Sequence, residues 1–164
     1  MMVPRDRITP VLVTLALAML LTVIPVPAML TPLRPYWVAL VVIFWCLETQ
    51  DFISLGHAFI IGLVLDLLTG SLLGMHALRL VVLVYLVIRF RARLRFFPPW
   101  QQALSVLALL INDHIILLWI ISLKGDALPP ATFWLAPLVS TLLWPWVFLL
   151  MDRYRSLARH RAPG

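Results

Sequence analysis

Six apolar stretches, most of them close to bilayer-spanning length, dominate this chain: residues 8–30, 36–51, 52–70, 74–90, 100–123 and 131–151. A helix needs about 20 predominantly apolar residues to cross a hydrocarbon core. In hydrocarbon every backbone N–H and C=O must be bonded within the protein, so apolar runs of this length dictate helices. Charged residues make up only 12% of the chain, against about 25% in soluble domains. Mean hydropathy is +1.02, which leaves too little polar surface to coat a globule in water. The expected fold is all-α: a polytopic integral membrane protein of about six transmembrane helices. Residues 1–164 then form one transmembrane domain, ending in a cytoplasmic tail over 152–164. Six spans consume about 120 positions, so no room remains for a soluble catalytic domain.

Two segments need separate treatment. Arg5 and Arg7 precede the apolar run Ile8–Ile24, and Val26-Pro27-Ala28 loosely resembles a signal cleavage site. That run is longer than the 7–15 residues of a signal core, so it reads as a retained span. The second segment is the weak one. Its apolar core, YWVALVVIFWCL, has 12 residues, or about 18 Å of helix. It is expected to tilt into a thin region or to form a re-entrant pair with the third segment.

Arginine positions orient the chain, because cytoplasmic loops are enriched in positive charge. With the N-terminus inside, ten of the thirteen Lys and Arg residues fall on inside segments: Arg5, Arg7, Arg89, Arg91, Arg93, Arg95, Arg153, Arg155, Arg159 and Arg161. Outside loops hold Arg34 and Lys124, and Arg79 lies within a span. Both termini are therefore expected in the cytoplasm, with an even number of crossings before the arginine run. Trp37, Trp100, Trp134, Trp144 and Trp146 lie near segment ends, where indole rings favour the interface. Prolines 25, 27, 32, 35, 98, 99, 129 and 130 punctuate the connections, and Pro145 is expected to kink the last span.

Polar residues inside the spans need partners, since an intramembrane charge costs about 2.5–3.5 kcal/mol even on lenient scales. If segments three and four make a hairpin around Gly70–Gly74, Asp66 and Arg79 lie at similar depth, about 10 Å below the turn. An Asp66–Arg79 ion pair is expected. Gly62, Asp66, Gly70 and Gly74 recur every fourth residue; on one continuous helix they would form a packing or partner face. Asn112, Asp113 and His114 form an intramembrane polar cluster in the fifth span. Consecutive residues point about 100° apart, which argues against a metal site and for hydrogen bonds to neighbouring helices. His57 and His76 read as hydrogen-bonded packing residues, and Glu48 and Asp51 as a short inside turn. The run Arg89, Arg91, Arg93, Arg95 reads as a cytoplasmic loop on anionic lipid headgroups, each arginine gaining about 1 kcal/mol. Its place between two spans excludes nucleic acid.

Enzyme signatures are missing: no phosphate-cradling Gly-x-x-x-x-Gly-Lys, no His-Glu-x-x-His, no Gly-x-Ser-x-Gly. The lone Cys46 excludes an intramolecular disulfide and a multi-cysteine metal site. No catalytic residue, cofactor or metal is expected.

Five motifs carry a resemblance: RPYW (34–37), GLVLDLLTGSLLG (62–74), VYLV (84–87), WQQAL (100–104) and LLWPWVFLLM (142–151). In this order and spacing, from Arg34 to Arg155, the chain resembles the rod shape-determining MreD family of Gram-negative bacteria. The resemblance implies a non-enzymatic inner-membrane subunit of the elongation machinery. Its most direct partner would be MreC, with MreB filaments and the RodA–transpeptidase complex reached indirectly. Gly62, Asp66, Gly70, Gly74 and Asp113 fit the family pattern. The turn LETQDF departs from it: Glu48 and Asp51 stand where relatives carry a basic turn. The family fold is also similar to the substrate-binding component of vitamin-uptake transporters. The alternative is therefore a small-molecule binding or transport subunit, with Asp66, His76, Arg79 and Asn112–His114 around a buried site. A membrane enzyme using Asp66 or Asp113 as acid or base has the least support.

Overall fold

The computed structural model describes residues 5–49 and 52–160; Asp51 of the expected inside turn and Arg161 of the tail lie outside the described residues. Those residues are all-helical, in six α-helices: α1 Arg5–Val23, α2 Trp37–Glu48, α3 Leu55–Thr69, α4 Met75–Leu94, α5 Pro99–Lys124 and α6 Leu135–His160. Short 3-10 turns over Ala28–Leu33 and Ala131–Trp134 lead into α2 and α6. Local chemistry sets the boundaries. Ser54 accepts the His57 backbone N–H at the start of α3, while the Ser54 N–H donates to His57 Nδ1. His57 is thus an exposed capping residue and not the packing residue expected. Gly70 and Gly125, at φ 64° and 75°, end α3 and α5 in the left-handed conformation that glycine adopts without penalty. Pro99 opens α5 at a position where its missing N–H costs nothing.

Five helices form a ring around the sixth. α1, α3, α4, α5 and α6 pack successively, α6 closes back onto α1, and α2 occupies the centre against α1, α4 and α6. All ten residues from Val38 to Leu47 are buried. A helix that is apolar on every side belongs inside a bundle, where protein surrounds it. The segment that looked too short to span is therefore the core of the molecule. The re-entrant alternative for segments two and three gives way to this central position, and α3 makes the hairpin with α4 that the Asp66–Arg79 reading assumed. Among the described residues three stretches are long and apolar enough to cross a membrane: Ala28–Glu48, Pro99–Lys124 and Ala131–Leu157. Ile8–Val23 and Leu55–Thr69 are shorter apolar helices. The chain is a membrane protein.

Two indole N–H groups tie the ring to its neighbours. Trp45 donates to Thr14 Oγ1 at 2.9 Å, joining α2 to α1, and Trp144 donates to Gln102 Oε1 at 3.3 Å, joining α6 to α5. At the end of the bundle that carries the arginine run, Arg155 of α6 pairs with Glu48 at the end of α2 and with Asp152 at 3.1 Å. Arg91 donates to the Cys46 and Thr49 carbonyls, both at 3.4 Å, where the α2 dipole is negative. Glu48, expected in an acidic inside turn, thus has a basic partner. Helix α4 runs four residues beyond the expected span, so Arg89, Arg91 and Arg93 stand on a helix and not in a loop. Helix α6 likewise continues through His160, so the expected tail begins as helix. Pro145 lies within α6.

Candidate functional site: a buried polar joint

The ionic side chains buried inside the bundle gather near the other end, where α3 turns into α4. Asp66 sits in the last helical turn of α3, and 1% of its surface is exposed. Its Oδ1 accepts from the Ser71 hydroxyl at 2.8 Å, the His76 backbone N–H at 2.9 Å and His76 Nδ1 at 2.8 Å. Its Oδ2 accepts the Gly74 backbone N–H at 2.8 Å. The N-terminal N–H groups of a helix have no partner within it and carry partial positive charge. Gly74, at the N-cap of α4, has no side chain to bond them. Asp66 does this work from the preceding helix. It is a cap supplied across the hairpin, and it fixes how α4 leaves the turn.

Arg79 lies one turn further along α4, with 5% of its surface exposed. Its Nε donates to Asp113 Oδ1 at 3.0 Å, and a terminal nitrogen donates to Asp113 Oδ2. This is a bidentate pair between α4 and α5, the strong geometry for a guanidinium and a carboxylate. The expected Asp66–Arg79 pair is corrected accordingly. Equal depth from the turn said nothing about direction around the helix. Asp66 is already filled by the turn's own donors, while Arg79 faces α5.

Tyr36, just before α2, completes the joint. The Arg79 guanidinium carbon stands 4.9 Å from the Tyr36 ring centroid, a cation–π distance. The Tyr36 backbone N–H donates to Ser140 Oγ of α6 at 3.0 Å, and the ring meets His76 edge-on with centroids 6.4 Å apart. The Tyr36 hydroxyl is buried without a hydrogen-bond partner among the described residues. Tyr36 and Ser140 were not singled out from the sequence as site residues. The available signal was the position of Tyr36 in RPYW, at the mouth of a wholly apolar helix.

The other expected residues separate. Asp113 points inward to Arg79, and His114 lies tilted against Phe133 with ring centroids 4.7 Å apart, its Nδ1 3.1 Å from the Leu110 carbonyl oxygen. Asn112 Nδ2 is buried without a hydrogen-bond partner among the described residues. The three side chains thus diverge, as the 100° spacing requires, although His114 Nδ1 stays 3.7 Å from Asp113 Oδ2. The glycine face also divides. Gly62 packs against α4 so closely that a Cβ there would meet the Ala77 backbone, with Ala77 N at 2.5 Å and the His76 carbonyl carbon at 2.8 Å. Gly70 and Gly74 have positive φ, 64° and 95°, and open space where a Cβ would stand. They make the turn, and only Gly62 makes the seam. The expected continuous face needed a continuous helix, and the helix stops at Thr69.

The joint links α2, α3, α4, α5 and α6 through groups that mostly satisfy one another. Both Asp113 oxygens hold Arg79, and Asp66 holds four donors. Among the described residues no group of three or more His, Cys, Asp or Glu side chains could hold a metal ion.

Comparison with known proteins follows the same stretch of chain. Residues 6–154 match the family described as rod shape-determining protein MreD. Over 143 residues the chain is 37% identical to the rod shape-determining protein MreD of Haemophilus influenzae, covering 85% of this chain and 86% of that protein. No solved structure matches it.

Proposed function

The chain belongs to the rod shape-determining MreD family of membrane proteins, whose role is in cell shape, and from that premise we propose that it is a non-enzymatic adaptor of the inner membrane. In this reading it binds MreC directly and, through it, helps couple MreB filaments to peptidoglycan synthesis by RodA and its transpeptidase partner. The observation that carries the proposal is the match of the family across residues 6–154, nearly the whole chain. The buried joint supports an adaptor over chemistry, because its ionic groups are engaged in holding helices together. All six helices count as spans in this reading, with both termini in the cytoplasm, supported by the arginine bias and by the Glu48–Arg155 pair at the basic end. Uptake of a small molecule has less support: of the groups it would use, Asp66, His76, Arg79 and Asn112–His114, Asp66 is bonded to His76 and Arg79 to Asp113.

Depletion tests the proposal. Rod-shaped cells losing this protein are expected to round up with no nutrient requirement. A nutrient auxotrophy with normal shape would instead point to uptake.

A further inference from the structure

The arginine run divides into two functions, and the outward half makes a site. On a helix, residues four apart lie about 40° from one another around the axis, and residues two apart lie on opposite sides. Arg91 turns inward to the Cys46 and Thr49 carbonyls. Arg89 and Arg93 are exposed, and among the described residues neither has an acidic partner. On α4 they share a face with Tyr85, Ile88 and Ala92, all exposed and spaced three or four apart, while Leu80, Leu83, Val84, Val87 and Leu94 fill the opposite, buried face. The outward stripe is thus apolar and aromatic along the bundle and then doubly cationic at its end. Phe96, 86% exposed, follows the arginines. The stripe is exposed, and its polarity order is that of one phospholipid: acyl chain, then phosphate.

We propose that this stripe of α4 is a binding site for an anionic phospholipid, whose phosphate is held between Arg89 and Arg93 and whose acyl chain lies along Ile88 and Tyr85. Charge complementarity commits the site to an anionic headgroup, and continuity with the apolar part of the stripe commits it to a lipid over a soluble anion. A guanidinium pair at i and i+4 offers two planar forks to one phosphate. The inference rests on the chain lying in a membrane and is independent of the adaptor role.

The test uses the full chain, purified in mild detergent and stripped of lipid, then offered phosphatidylglycerol or phosphatidylcholine, with retained lipid counted by native mass spectrometry. The wild-type chain is expected to retain phosphatidylglycerol preferentially. Arg89→Gln with Arg93→Gln should lower that preference by about 30-fold, two arginines at the usual surface contribution. Lys124→Gln with Arg153→Gln removes the same charge elsewhere and should leave it intact. Equal loss in both double variants would reduce the site to diffuse charge, and no loss in the first would remove it. A photo-crosslinking residue at Ala92, activated in native membranes, is expected to give a phospholipid adduct. A protein adduct there, or capture of phosphatidylcholine equal to phosphatidylglycerol, would overturn the proposal.

Discussion

At the scale of single residues, the account turns on which carboxylate Arg79 holds. Removing one partner of a buried pair leaves the other charged and alone, at a cost of about 3–5 kcal/mol. Arg79→Gln and Asp113→Asn should each lower thermal stability in detergent by an amount of that order. Combined, they should cost much less than their sum, because the second change removes the charge that the first has stranded. Asp66→Asn is a different kind of loss. It weakens a helix cap, a matter of about 1–2 kcal/mol, and should couple to Arg79→Gln more weakly than Asp113→Asn does. The same cycle on both pairs decides between the geometry and the pairing expected from depth. The sequence showed that Asp66, Arg79 and Asp113 needed partners, since intramembrane charge is costly wherever it sits. It did not show which partners, because the choice depends on helix rotation, which spacing along the chain does not record.

At the scale of elements, the hairpin of α3 and α4 is the test case. Gly62 is the close approach, and Gly70 is the turn. Even Gly62→Ala places a Cβ against the Ala77 backbone, which cannot yield as a side-chain tip does, so the two helices must part. An overpacking cost of about 1–3 kcal/mol is expected. Gly70→Ala meets open space and carries only the strain of a left-handed φ, about 1–2 kcal/mol. Cysteine cross-linking between α3 and α4 should therefore weaken in Gly62→Ala and persist in Gly70→Ala; the reverse order would place the seam at the turn. The four-residue recurrence of glycine was visible in the sequence, but its reading as one face assumed a helix through residues 62–74. The break was legible too: Gly-Ser-Leu-Leu-Gly is turn chemistry as much as packing chemistry. The helix ends were less legible at the basic end. Arginines read as the start of a loop, yet α4 carries them a full turn onward because one of them caps α2.

At the scale of the whole molecule, a five-helix ring around a short apolar centre explains why segment two looked anomalous. A central helix needs no length of its own to match the bilayer, since its neighbours meet the lipid, and it needs apolar side chains on all sides. The length of its apolar core alone counts it as a weak span; the burial of every residue from Val38 to Leu47 identifies it as core. The all-helical class and six elements were readable from the apolar runs, whereas the ring order was not, because nothing local records which helix neighbours which. The polar joint near one end of this ring and the basic rim at the other leave most of the interior's ionic groups paired with one another, which suits a molecule that holds partners by its surface. The direct measurement is co-purification of the tagged full chain from native membranes in mild detergent, with quantitation of everything that elutes. The account predicts MreC in near-stoichiometric amount, reduced when Arg79→Gln loosens the joint. Recovery of an ATPase pair without MreC would contradict it and return the chain to small-molecule uptake.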